Sequence, residues 1–139
     1  MNGDSILLQK LRDIEEKLQS LEHQINLVYY SRYYPSFGVF YELGLSKEQV
    51  DKLYDILDKF MEILESGETF SRIELEKALS EVGIGYQSLK SIFNAFWEES
   101  KYRPVIVTYL KDIMKLFKSI PSEYHRIWKE IEETERKNS

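Results

Sequence analysis

The first part of the chain carries apolar residues in alternating steps of three and four. Two apolar positions in every seven are typical of a coiled coil, whereas a helix that packs on a globular core is usually apolar at three or four. The apolar stripe, which we call the seam, consists of Leu7, Leu11, Ile14, Leu18, Leu21, Ile25 and Val28. The seam predicts a long helix that pairs with another apolar helix surface.

Charged residues beside the seam fit a parallel partner helix. Lys10 and Lys17 fall at heptad position g, and Glu15 and Glu22 fall at the following e, so opposite charges would face each other in a parallel pair. Mixed Leu and Ile in the seam do not fix the number of strands. We expect the seam to be an oligomer interface between copies of the chain. The alternative is an intramolecular hairpin against a later helix.

The rest of the chain has helical periodicity with clear boundary signals. Ser46 with Gln49 and Ser71 with Glu74 have the spacing of capping boxes, and Gly44 fits a helix C-terminus. Strand-like alternation never extends beyond a few residues. The sequence therefore predicts an all-α fold with six or seven helices. A coiled-coil oligomerisation helix (residues 1–31) precedes a compact helical bundle (residues 32–139).

An aromatic-rich stretch, residues 29–41, joins the two predicted parts. Pro35 disfavours helical geometry at Tyr34, so the seam helix should end just before it. The next helix is expected to place Phe37, Phe40 and Tyr41 on its core face. A second set has no such place and is predicted to form a partner surface: Tyr30, Arg32, Tyr33 and Tyr34. Tyr and Arg are enriched at binding hot spots, although these rings would alternatively fill the junction between coil and bundle.

Catalytic and metal-binding patterns are weak in this sequence. The acidic residues lie mostly on polar helix faces, His23 takes heptad position f, and no His pair has metal-ligand spacing. An EF-hand aligned on Gly67 would need a bidentate Glu where Ile73 stands. We therefore expect no enzyme activity, no catalytic residues, no cofactor and no metal.

A helix-turn-helix DNA-binding regulator using residues 71–96 is the alternative function. Gly83 would lie in the turn, followed by a second helix with Leu89 and Phe93 buried. That second helix has Lys90 as its one cation, whereas phosphate contacts need several. The formal net charge of −5 also disfavours binding to nucleic acid or to an anionic membrane surface.

Other global features indicate a soluble cytoplasmic protein. The chain has no Cys, which excludes disulfides and thiolate metal sites. Its N-terminus lacks the basic region and apolar run of a signal peptide, and no apolar stretch is long enough to span a membrane.

Several short motifs resemble the YhaI-like family, small all-helical bacterial proteins of unknown function. The matching segments occur in the family's order: Tyr34-Pro35, "ELGLSKEQ" (42–49), "GETF" (67–70), "FWEESKY" (96–102) and "LKDIMKLF" (110–117). This chain departs from the family in its longer N-terminal helix and in an added C-terminal helix from Pro121. The resemblance implies an all-α fold and supplies no activity.

Taken together, these patterns predict a small helical protein-binding module with a regulatory or structural role. The expected partner is a second copy of the chain through the N-terminal helix, with another protein as a further partner.

Overall fold

A computed structural model describes residues 2–138, and this part of the chain is helical with no strand. The elements are α1 (Asn2–Tyr30), α2 (Pro35–Leu43), α3 (Lys47–Glu65), α4 (Arg72–Ser80), α5 (Tyr86–Glu98), α6 (Arg103–Phe117), a 3-10 turn (Ser122–Tyr124) and α7 (His125–Asn138). The all-α prediction is confirmed. Residues 1 and 139, the outer bounds of the two predicted domains, lie outside the described residues.

Local hydrogen bonds set the helix boundaries that the sequence predicted. At the start of α3, the Ser46 hydroxyl accepts from the Gln49 amide at 3.1 Å, and the Gln49 side chain accepts from the Ser46 amide at 3.0 Å. The same reciprocal capping box begins α4 at Ser71 and Glu74. Gly44 ends α2 with a φ of 67°, a left-handed conformation that favours glycine.

Helix α5 lies at the centre of the bundle, where it contacts α2, α6 and the 3-10 turn. Phe96 of α5 packs edge-on against Phe40 of α2, with ring centroids 6.0 Å apart. Phe93 packs in the same way against Tyr109 of α6, at 5.5 Å. All four rings are fully buried, so aromatic packing around α5 forms the middle of the hydrophobic core.

Buried polar contacts tie distant elements together. Glu99, just after α5, accepts hydrogen bonds from the amide (2.7 Å) and the hydroxyl (3.0 Å) of Ser36 in the first turn of α2. Its carboxylate also forms an ion pair with Lys101 at 3.1 Å. A carboxylate at a helix N-terminus is favourable because it accepts from amides without intrahelical partners. This contact fixes α2, and hence the junction with α1, on the central helix.

Two non-glycine residues adopt left-handed backbone geometry between α5 and α6. Ser100 and Tyr102 have φ values of 58° and 56°. Tyr102 is held there because its hydroxyl donates to Asp58 at 2.6 Å and its ring packs 5.5 Å from Phe96. Tertiary contacts therefore impose a turn that the local sequence does not favour.

The part of the chain that the structure describes contains no helix both long enough and apolar enough to cross a membrane.

Candidate interaction surface on helix α1

Helix α1 projects from the bundle for most of its length. It contains 29 residues. Every residue from 3 to 22 is exposed. At 1.5 Å per residue, the projecting part extends for about 30 Å. Most of the stability of a helix in a protein comes from tertiary packing, which the projecting part of α1 does not have within the described chain.

The C-terminal part of α1 docks onto the bundle through the side opposite the seam. Leu27, at heptad position c, is only 5% exposed and belongs to the core. His23, at position f, donates from Nε2 to the backbone carbonyl of Leu45 at 2.9 Å. The sequence placed His23 at the most exposed heptad position. That placement is wrong because the bundle covers the back of the helix there.

The seam is exposed along its whole length. Its seven side chains retain between 49% and 66% of their accessible surface. No later helix of the described chain covers them, so the intramolecular hairpin considered for the seam is not formed. A continuous exposed apolar stripe of this length is typical of an interaction surface.

A groove of about 440 Å³ lies over the C-terminal end of the seam. Seam residues Leu21, Ile25 and Val28 line it, together with Tyr29 of α1 and Tyr41 of α2. Gln24 and Arg32 complete the groove, and the Arg32 guanidinium lies 5.6 Å from the centroid of the Tyr29 ring. The groove thus continues the seam into the junction with the bundle.

Tyr41 was predicted to lie on the core face of α2, but it is 49% exposed, so that prediction is wrong. Phe40 is fully buried and Phe37 half-buried, as the sequence predicted. Adjacent residues on a helix point about 100° apart. Since Phe40 faces the core, Tyr41 turns toward α1 and borders the groove.

The residues of the predicted partner surface are exposed, but they do not all lie beside the seam. Exposed fractions are 42% for Tyr30, 65% for Tyr33 and 43% for Tyr34. Arg32 is also exposed and lines the groove. Tyr30 and Tyr34 instead pack against Phe37, with centroids 6.1 and 5.4 Å away. The structure therefore brings only Arg32 of the four together with the seam.

No family model, curated protein or solved structure matches this chain. The resemblance to the YhaI-like family stays a prediction.

The second helix of the helix-turn-helix candidate presents no exposed cation to DNA. Its second helix would be α5, whose Lys90 is 9% exposed. The Lys90 ammonium forms an ion pair with Glu123 at 3.3 Å and lies 4.5 Å from the centroid of the Tyr86 ring. Binding to DNA needs exposed Lys or Arg for phosphate contacts, and the exposed positions of α5 (Tyr86, Gln87, Ser91 and Glu98) carry neither.

Among residues 2–138, no cluster of three or more His, Cys, Asp or Glu side chains could hold a metal ion.

Proposed function

We propose that this protein is a small helical protein-binding module that self-associates through α1, with the seam as the interface. The observation that carries the proposal is the exposure of all seven seam side chains on a helix whose opposite side is docked to the bundle. The docked side leaves the seam open to a second chain. In this function the protein brings two bundles together, which is a structural or regulatory role in the cytoplasm. It involves no catalysis.

The free energy gained by dimerisation exceeds its cost only when the whole seam is buried. Each seam side chain is about half exposed, so burying it in an interface gains about 1 kcal/mol, half of the value for complete burial. Bringing two chains together costs about 4–15 kcal/mol. A single substitution that disrupts the seam should therefore be enough to dissociate the oligomer.

The test is sedimentation equilibrium of the full chain at tens of micromolar, with two variants. Leu18→Glu places a charge within the seam, where desolvation costs several kcal/mol, and should produce a monomer. Gln19→Glu is the matched control, since it adds the same charge at the neighbouring exposed position outside the seam. We expect oligomeric wild type and Gln19→Glu, and a folded monomeric Leu18→Glu. A monomeric wild type would refute the proposal.

A further inference from the structure

We infer that two copies pair in parallel and that the Tyr29 ring of each copy enters the groove beside Tyr41 of the other. The inference rests on the proposed function, since it specifies the geometry of that self-association. It adds three residues beyond the seam to the interface: Gln24, Tyr29 and Tyr41.

Charge placement favours the parallel orientation. In a parallel pair, position g of one helix faces position e of the next heptad in the other, so Lys10 meets Glu15 and Lys17 meets Glu22. In an antiparallel pair, g faces g and e faces e, which brings like charges together. All four side chains are exposed in the single chain. Only the parallel arrangement pairs them with opposite charges.

The next pair of g and e positions lies at the groove. Gln24 is the next g position, and its counterpart in a parallel partner is Tyr29, the next e position. Gln24 and Tyr41 line the same groove, and both also line a second cavity with Leu27 on the docked side of α1. Tyr41 therefore lies on the g side of the seam, where a parallel partner places its Tyr29.

The two rings are suited to such a contact. Tyr29 is 53% exposed and Tyr41 is 49% exposed, so each retains surface for a second ring. The Arg32 guanidinium lies over the Tyr29 ring and adds a cation to the aromatic surface. Twofold symmetry forms the contact twice in each dimer, because an isologous interface repeats every pair.

Orientation can be tested by disulfide trapping, because the chain has no cysteine of its own. Leu7→Cys lies at the far end of the seam and should form a disulfide-linked dimer only if the helices run parallel. A mixture of Leu7→Cys and Ile25→Cys chains is the antiparallel control, since these positions face each other only in that orientation. Cross-linking of Leu7→Cys to itself supports the inference. Preferential cross-linking of the mixed pair would overturn it.

The ring contact is tested by the dimer dissociation constant, measured by sedimentation on Tyr41→Ala and, as a control, Tyr33→Ala. Tyr33 is 65% exposed and lines neither cavity beside α1. Loss of an aromatic pair formed twice should raise the constant about tenfold for Tyr41→Ala and leave it unchanged for Tyr33→Ala. An unchanged constant for Tyr41→Ala, in a wild type that still dimerises, would overturn the inference while leaving the proposed function intact.

Discussion

Helices α1 and α5 both carry apolar residues at nearly every turn, but they use them in opposite ways. In α5 the apolar positions form a wide stripe, and its large side chains from Leu89 to Trp97 are buried by neighbouring elements. In α1 the stripe is narrow, and its side chains stay about half exposed. The width of the stripe, more than its apolar content, distinguishes a helix that packs within its own core from one whose apolar side chains stay exposed.

Truncation of one side chain from each helix should give the largest contrast. Phe96→Ala removes a ring from the centre of the core and should lower the free energy of unfolding by about 3–5 kcal/mol. Ile14→Ala, in the seam, should change it by less than about 0.5 kcal/mol in dilute monomer, as surface substitutions usually do. Urea denaturation at submicromolar concentration measures both. Equal losses would mean that the seam is packed within the chain.

Two neighbouring residues of α1 offer a finer version of the same contrast. Leu27 is 5% exposed and Val28 is 49% exposed. Leu27→Ala should lower the free energy of unfolding of the monomer by about 2–3 kcal/mol, because it opens a cavity where α1 docks. Val28→Ala should leave the monomer unaffected and weaken dimerisation. If Val28→Ala destabilised the dilute monomer as much as Leu27→Ala, the two sides of α1 would not be distinct.

Alkaline pH should also distinguish the two regions, because the tyrosines whose pKa is raised lie in the bundle. Burial, and next the charge of Glu99, raise the pKa of Tyr54 to about 12 from an ordinary value of 10.0. Burial is also the main cause that raises the pKa values of Tyr102, Tyr109 and Tyr124. A folded-state pKa above the unfolded value means that the stabilisation is complete below about pH 10 and is lost as the pH rises toward the folded pKa. Melting temperature should therefore begin to fall near pH 10.

Tyr109→Phe provides the control for this pH dependence. It should reduce the fall in melting temperature at alkaline pH. At neutral pH it should lower the melting temperature, because it removes the 2.5 Å hydrogen bond that the Tyr109 hydroxyl donates to Glu76. Tyr33→Phe, on an exposed ring, should change neither. A wild-type melting temperature that stays constant from pH 9 to pH 11 would contradict the raised pKa values of the tyrosines in the bundle.

Local patterns predicted much of the fold because they are determined within a few residues. The capping boxes at Ser46 and Ser71 and the turn at Gly44 are decided by hydrogen bonds and backbone preferences that the sequence shows directly. Pro35 likewise ends the preceding helix, since Tyr34 is extended as predicted. The seam, as an apolar stripe along one side of a long helix, follows from the spacing of its residues alone.

Features that depend on distant residues were not predicted. His23 could not be assigned to the docked side of α1, because heptad position f is covered only where α2 and Leu45 come near. The contact between Glu99 and Ser36 joins residues far apart in the chain and has no periodic signal. The left-handed backbone at Tyr102 depends on Asp58 and Phe96, which local propensity does not include. The core-face prediction for Tyr41 is wrong for the same reason, because the position of α1 beside this residue has no local signal.

Concentration-dependent amide hydrogen exchange compares the two helices most directly and tests whether a second copy covers the seam. Exchange from the amides of residues 5–25 should slow as the protein concentration rises through the dimer dissociation constant, because pairing suppresses fraying of the projecting helix. Exchange from the α5 amides should stay the same at every concentration. Protection of residues 5–25 that does not change with concentration would contradict the account.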